Sequence, residues 1–376
     1  MKIIALYLPQ FHEIPENNAW WGKGFTEWVN VRKARPLFEG HEQPYVPLGK
    51  NYYDLLELET LKWQFKIAKE NGVYGFSFYH YWFNGKLLLE KPLELVLQNP
   101  DLDLKFTVCW ANENWTNSWV SSNEKILMSQ EYGDELQWEI HFNYLLNFFK
   151  DPRYIKENNK PFLTIYRPDI IECLNPMLDY WNQLAVKHGF SGLTYAYQHV
   201  SFNLVNEKDD SRFSYNIEYQ PMYYFSKDRS EFLKLVLKFK KFVNRLWRNN
   251  DNGLSSLSVK VRIKNYDKAW NYINTMKPES EKSIPGAFVR WDNTPRKGNK
   301  GLVIHGSTPE KFEKYMMRQI ENARVHYKKD YIFIFAWNEW AEGGFLEPDQ
   351  KYEYRYLEAL KNALISTNEF PDYENS

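Results

Sequence analysis

Leu58-Glu-Thr-Leu61-Lys-Trp-Gln-Phe65-Lys-Ile-Ala68-Lys-Glu-Asn71-Gly72-Val73-Tyr-Gly-Phe-Ser-Phe-Tyr79-His80-Tyr81-Trp82-Phe83-Asn84 changes its period partway along. Leu58, Leu61, Phe65 and Ala68 recur at helical spacing and form one apolar stripe. Asn71-Gly72 stops that helix, because glycine tolerates the left-handed backbone with which helices end. Val73–Tyr79 then runs apolar and aromatic, as a buried strand does. It hands over to His80-Tyr81-Trp82-Phe83-Asn84, an end that is polar and aromatic at once. A helix, a strand and a decorated strand end make one unit.

That unit returns along the chain. Apolar runs at Ile3–Leu8, Val73–Tyr79, Leu104–Trp110, Phe162–Tyr166, Leu193–Tyr197, Tyr215–Tyr219, Ala287–Val289 and Tyr331–Trp337 read as strands. Helical patterns cover Asp134–Lys150 and Asn175–His188. Another starts at Thr308-Pro309-Glu310, with a capping hydroxyl, Pro at the first helical position and an acid in the first turn. Strands separated by helices pair in parallel through crossovers, and eight such units predict a (β/α)8 barrel of the α/β class with elaborated loops. The expected organisation is one catalytic barrel over 1–366, a basic helical insertion near 227–275, and a frayed polar tail over 367–376.

The 376 residues carry 48 Lys+Arg and 48 Asp+Glu, so the formal net charge is zero. A nucleic-acid partner calls for a basic excess against phosphate, so none is expected. Two cysteines, Cys109 and Cys173, allow no disulfide framework and suit a reducing compartment. The opening Met1–Leu8 is only strand-length and stops at Pro9-Gln10, unlike a secretory signal. No stretch is long and apolar enough to span a bilayer. The expected location is the cytoplasm. With 15 Trp, 27 Tyr and 25 Phe, 18% of the chain is aromatic. A large core absorbs most of these rings; the remainder suit a cleft where flat rings lie against sugar faces.

A barrel of this kind works at the C-terminal ends of its strands. Tyr7 lies near the end of the first run, Gln10 and His12 follow it, and Glu27 and Trp28 sit in the first long loop. Tyr79, His80 and Trp82 close the second run. Trp110, Asn112, Glu113 and Trp115 come at the third, and Tyr166 at the fourth. Gln198 and His199 follow the fifth, and Glu218 lies in the sixth. Trp291 and Asp292 follow the seventh, and Asn338 and Trp340 the eighth. Ordinary loops favour Gly, Ser, Asp and Lys. These ends carry Trp, His, Asn, Gln and Glu, which suit the reading of hydroxyl groups.

Glu339 and Glu342 stand three apart beyond the last strand. In an extended strand they would face opposite ways, but in a turn they share a face. Gly343-Gly344 supplies a turn. Glycosyl chemistry needs such a pair, one carboxyl neutral and one ionised, and each charge raises the proton affinity of the other.

Asn338-Glu339-Trp340-Ala341-Glu342-Gly343, with Glu347-Pro348 after it, resembles the catalytic segment of glycoside hydrolase family 99, the endo-α-mannosidases. Further segments are similar to the WbsX-like branch related to that family. They are Tyr7-Leu8-Pro9-Gln10-Phe11-His12, Trp20-Trp21-Gly22-Lys23-Gly24-Phe25-Thr26-Glu27-Trp28, Phe78-Tyr79-His80-Tyr81-Trp82, Cys109-Trp110-Ala111-Asn112-Glu113-Asn114-Trp115 and Trp291-Asp292-Asn293-Thr294-Pro295-Arg296. That branch is associated with bacterial surface-polysaccharide assembly, lipopolysaccharide included. The resemblance implies an endo-acting, retaining hydrolase of an α-linked, manno-like glycan that uses no protein nucleophile. Glu339 would take the proton of the sugar 2-hydroxyl, giving a 1,2-anhydro sugar. Glu342 would be the acid and then the base, and so is expected to hold its proton near neutral pH.

Two other readings compete. A retaining glycosyltransferase of O-antigen or capsule biosynthesis could use the same glutamates. No phosphate-cradling Gly-rich loop accompanies them, and Asp101-Leu102-Asp103 precedes a strand where no nucleotide sugar would meet it. A non-catalytic carbohydrate-binding barrel would keep the aromatics and need neither glutamate. No cofactor is expected, and no metal: the 8 histidines contain no His-x-x-x-His pair, although His12, His80 and His199 could converge at the mouth. The expected partner is an oligo- or polysaccharide, lipid-linked in one version. Phe232, Val236, Phe239, Val243, Leu246 and Trp247 form a helical stripe with Lys234, Lys238, Lys241, Arg245 and Arg248 largely opposite. A barrel helix with solvated lysines is the plainer reading, and weak peripheral contact with an anionic membrane surface is the other.

Overall fold

Eight parallel staves close into a barrel in the computed structural model, which describes residues 1–116, 126–200, 209–227 and 260–373. The strands are β1 (Lys2–Tyr7), β2 (Val73–Phe83), β3 (Lys105–Trp110), β4 (Lys160–Ile165), β5 (Thr194–His199), β6 (Phe213–Glu218), β7 (Ser283–Ile284), β8 (Gly286–Phe288) and β9 (Tyr331–Phe335). Each expected strand is present, displaced by a few residues at its ends. Pairing runs in parallel from β1 through β2, β3, β4, β5 and β6 to β7, and from β8 through β9 back to β1. β7 and β8 are one stave interrupted at Pro285, which has no N–H to give a ladder. The Pro285 carbonyl still accepts the Phe333 N–H at 3.4 Å, so the ring is continuous.

Closure at that stave needs a glycine. A Cβ built on Gly286 would lie 1.8 Å from the Glu218 carbonyl oxygen, so any other residue would push β6 away. Around the ring stand α1 (Leu58–Glu70), α2 (Lys91–Gln98), α3 (Glu135–Phe149), α4 (Leu174–Lys187), α5 (Tyr266–Ile273), α6 (Pro309–Asn322) and α7 (Arg355–Ser366). α1 buries Leu61, Phe65 and Ala68, the stripe read from its spacing, and ends before Gly72 at φ +84°. α6 begins as its sequence implies: the Thr308 side chain accepts the Lys311 N–H at 3.3 Å. Such a cap contributes about 1 kcal/mol.

The reading of the tail as frayed is overturned as far as Tyr373. The Met1 ammonium donates to the Glu369 carbonyl at 2.9 Å and to its carboxylate at 2.7 Å. The Tyr373 hydroxyl donates to the Val73 carbonyl at 2.8 Å, with the Lys69 carbonyl beside it at 3.1 Å. The stretch read as a cationic amphipathic helix falls on 228–259, outside the described residues. Among the described residues no helix is long and apolar enough to cross a membrane.

Candidate active site

Past β9 the chain is held to the end of β1. The Trp337 N–H donates to the Leu6 carbonyl at 2.8 Å. The Asn338 side-chain amide then copies a strand partner: its oxygen accepts the Leu8 N–H at 2.7 Å and its nitrogen donates to the Leu8 carbonyl at 3.0 Å. Asn338–Glu339 pairs antiparallel with Gly344–Phe345, and a short 3₁₀ turn, Trp340–Glu342, joins them. Gly343 ends the turn at φ +68°, where its missing Cβ would otherwise come 2.9 Å from the Asp292 nitrogen. This is the turn that puts positions three apart on one face. Both Glu339 and Glu342 border a cleft of roughly 890 Å³, within the usual range for ligand sites.

Arg296 stands between the carboxylates. Its Nη1 is 2.7 Å from Glu342, while Nη2 is 3.4 Å from Glu339 and 3.1 Å from Glu27. Glu27 is wholly buried behind it. Asp292 aims the short helix Thr294–Lys297 that carries Arg296, accepting the Thr294 N–H at 2.9 Å and hydroxyl at 2.6 Å. Its other oxygen faces His41 at 2.7 Å and accepts from Gln43 at 2.6 Å. Burial pushes the Glu339 carboxyl up to about 8; Arg296 opposes this, and the charges of Glu342 and Glu27 add to it. Glu339 was expected to be the ionised base of the pair, and this upward shift runs against that expectation.

The cleft wall follows strand parity. Tyr79, Tyr81 and Phe83 alternate along β2 and line the cleft. His80 and Trp82 lie between them and point the other way, so the reading that put them on the glycan is corrected. His80 Nε2 is 2.9 Å from His141 on α3, and Trp82 stacks on the same imidazole at 4.5 Å. Gln10, Glu113, Trp115 and Tyr166 also line the cleft, as expected. Asn112 instead clasps the backbone of Arg167, accepting its N–H at 2.8 Å and donating to its carbonyl at 2.7 Å.

Other expected contacts are packing or framework. Tyr7 donates to Gln64 at 2.6 Å, and Trp28 to the Tyr53 carbonyl at 2.8 Å. Trp340 lies flat on Phe345 at 3.7 Å and donates to Glu347 at 2.6 Å. Trp110 and Trp291 are buried against Trp181 and Phe335. Gln198 reaches the Tyr79 hydroxyl at 3.5 Å from within the barrel. Glu218 accepts the Tyr327 hydroxyl at 2.8 Å, and burial pushes its carboxyl up to about 8. Among the described residues the histidines form no shared cluster: His12 is buried, His80 faces His141, and His199 pairs with Glu279 at 2.9 Å. Glu27, Asp292 and Asn338 thus shape the site from behind. Tyr81, Tyr132, Arg167, Tyr219 and Arg296 also line the wall, although none was among the expected contacts. Parity along β2 would have found Tyr81. Arg296 carried no signal beyond its motif, because its partners lie far off in sequence.

The chain matches the family model described as "Glycosyltransferase WbsX" over residues 3–360. It is 31% identical to the uncharacterized protein WxcX of Xanthomonas campestris pv. campestris across 96% of this chain and 49% of that protein. It therefore spans about half the length of the curated relatives it matches. Among solved structures it is similar to the GH99 endo-α-mannosidase from Bacteroides thetaiotaomicron, with TM-score 0.55, 11% identity and 97% of each chain covered. A glycoside hydrolase-like protein gives TM-score 0.55 at 13% identity, covering 96% of this chain and 93% of that one. At such identities the likeness concerns the fold, and it is the same barrel. The family match, running from one end of the barrel to the other, means that the chain belongs to the WbsX glycosyltransferase family, a family of carbohydrate-active enzymes.

Proposed function

We propose that the cleft is the active site of a retaining, endo-type glycoside hydrolase acting on an α-linked, manno-like glycan of bacterial surface-polysaccharide metabolism. The observation that carries this reading is the pair Glu339 and Glu342, set by one turn on the wall of an aromatic cleft. In the proposed first step Glu339 takes the proton of the sugar 2-hydroxyl and that oxygen bonds to the anomeric carbon. The bond to the departing oxygen breaks, and Glu342 gives that oxygen its proton. In the second step Glu342 takes a proton from water, whose oxygen opens the 1,2-anhydro ring at the anomeric carbon. Glu339 returns its proton to the 2-oxygen, so the anomer is retained after two inversions. The phenols of Tyr79, Tyr81, Tyr166 and Tyr219 are raised by burial and stay neutral donors for hydroxyl groups.

The raised carboxyl of Glu339 favours a second assignment on the same pair, with Glu339 as acid and Glu342 as base. A leaving group that needs no protonation separates the two. The variant that recovers on it has lost the acid: Glu342→Gln in the first assignment, Glu339→Gln in the second. The function itself is tested on α-linked manno-, rhamno- and amino-sugar oligosaccharides, with products read by mass spectrometry and an acceptor glycan in a parallel series. Shortened chains from the wild type, and none from either glutamine variant, support hydrolysis. Elongated acceptor without hydrolysis supports a transferase. Equal product from wild type and both variants overturns the pair.

A further inference from the structure

Arg296 is a buried cation shared by three carboxylates, and it does not treat the catalytic pair equally. One nitrogen, Nη1, is given to Glu342 at 2.7 Å. The other, Nη2, is divided between Glu27 at 3.1 Å and Glu339 at 3.4 Å, and Nε adds a second contact to Glu27 at 3.2 Å. Glu27 sits on a helix whose first N–H donates to the Gln10 carbonyl at 3.1 Å, so the anchor is itself fixed. A charge-assisted bond at short range strongly favours the ionised carboxylate, and a longer, shared contact favours it less. We propose that Arg296, anchored by Glu27, is a positioning residue that ion-pairs with Glu342 and leaves Glu339 to carry the proton of the pair in the empty enzyme.

This rests on the reading of Glu339 and Glu342 as the reacting pair. Among the described residues the other titratable groups facing Glu339 are the phenols of Tyr79, Tyr81 and Tyr219, with the Cys109 thiol behind Tyr79. Those facing Glu342 are Tyr166 and Tyr219. Burial raises all of these acids, so none supplies a charge near neutral pH. Among the described residues Arg296 is the cation in contact with both carboxylates, and its unequal distances break the symmetry; Arg167, also on the cleft wall, is paired with Glu113 at 2.7 Å. The consequence is mechanistic: if Glu339 is the base for the 2-hydroxyl, substrate binding must first move the resting proton across to Glu342. If Glu339 is the acid, the resting enzyme is already poised.

The test needs no substrate, so it stands apart from the fate of the glycosidase reading. Carbon-13 carboxyl NMR of glutamate-labelled protein is followed from pH 5 to 9 in the wild type and in Glu218→Gln, Glu339→Gln, Glu342→Gln, Arg296→Lys and the double variant Glu27→Gln/Arg296→Met. Two glutamate resonances should titrate near pH 8, from Glu218 and Glu339; the one that persists in Glu218→Gln should vanish in Glu339→Gln and persist in Glu342→Gln. The double variant, which neutralises the wholly buried Glu27 together with Arg296, should shift that titration by a unit or more. Arg296→Lys keeps a cation without the fork, so it should shift the titration in the same direction by less. The proposal is overturned if the resonance survives Glu339→Gln and vanishes in Glu342→Gln, or if it is unchanged in both Arg296 variants. Should the double variant fail to fold, the shift in Arg296→Lys alone decides. Where a cleaved glycan is in hand, Arg296→Lys should move the alkaline limb of the kcat profile with KM little changed.

Discussion

Two glutamates of the loop after β9, Glu339 and Glu347, are both buried, and burial raises both, to about 8 and about 7. Their surroundings differ in kind. Glu347 is closed in by neutral donors: the Tyr53 hydroxyl at 2.7 Å, the Gln64 amide at 2.6 Å and the Trp340 indole at 2.6 Å. Glu339 has a shared cation on one side and the open cleft on the other. Neutral donors fix a carboxylate without giving it anything to react with. A cation and an open face leave its proton free to move. On the proposed reading Glu347 serves the loop's shape, and Glu339 what enters the cleft.

The largest expected effect separates the two by activity. Glu339→Gln and Glu342→Gln should each lower kcat by about 10³-fold on an unactivated glycan, the scale of acid–base catalysis. Their melting temperatures should stay near that of the wild type. Glu347→Gln, which keeps shape and hydrogen-bonding capacity on one side, should lose less than tenfold. Equal kcat losses at 339 and 347 with intact stability would erase the distinction.

Stability should show the opposite order. Glu347→Ala strands three buried donors, each worth about 1 to 3 kcal/mol when unpaired. Its unfolding free energy in urea should fall by about 3 kcal/mol or more. Glu342→Ala, on the cleft wall, should cost far less. A tolerant Glu347→Ala would mean that the loop is held by Asn338 on β1 alone.

The third effect is a pH dependence. Folded His80 is pushed down to about 3 by burial, and His12, His141 and His199 are lowered as well. Below the ordinary histidine value of about 6.5 the unfolded chain binds protons that the folded chain refuses, so these groups make stability rise with pH up to about 6.5. Glu339 and Glu218, up to about 8, and Glu347, up to about 7, act the other way. The folded chain keeps protons that the unfolded chain releases near the ordinary value of about 4.3, so stability falls from there until the folded values are passed. Above about 6.5 only the carboxyls remain in play. The melting temperature should fall between pH 6.5 and 8, and Glu218→Gln should make that fall shallower. A flat profile would show that these carboxyls are not held neutral.

The barrel was legible because period is a property of neighbours. The alternation of apolar runs with helical stripes located all eight staves, and Thr308-Pro309-Glu310 marked a helix start that the structure contains. Glu339 and Glu342 were legible for the same local reason, since two glycines beside them dictate a turn. What could not be read was set by partners far along the chain. Arg296 meets Glu27 across 269 positions, and Glu347 meets Tyr53 across 294. Nothing in either segment names the other. The break at Pro285 shows the converse case, a local signal passed over because the strand around it is short.

β2 carries the division between cleft and framework at its finest grain, and offers the smallest expected effect. Trp115 lies on the cleft wall beside Tyr81, ring centres 5.0 Å apart, while Trp82 on the other face of β2 stacks on His141. Both were expected to meet sugar, but Trp115 lies beyond the end of β3 on the cleft wall, whereas Trp82 lies within β2 with its side chain on the face away from the cleft. Trp115→Phe removes the indole edge and part of a flat surface from the cleft. It should weaken glycan binding several-fold, since one aromatic contact is worth about 1 kcal/mol, and leave the melting temperature nearly unchanged. Trp82→Phe removes packing against a buried imidazole. It should lower the melting temperature and leave KM alone, because the imidazole it stacks on does not border the cleft. Isothermal titration with a non-cleaved oligosaccharide and a thermal melt, run on both variants, would separate the two roles. If Trp82→Phe weakens binding more than Trp115→Phe does, then the face of β2 that carries Trp82 is not framework.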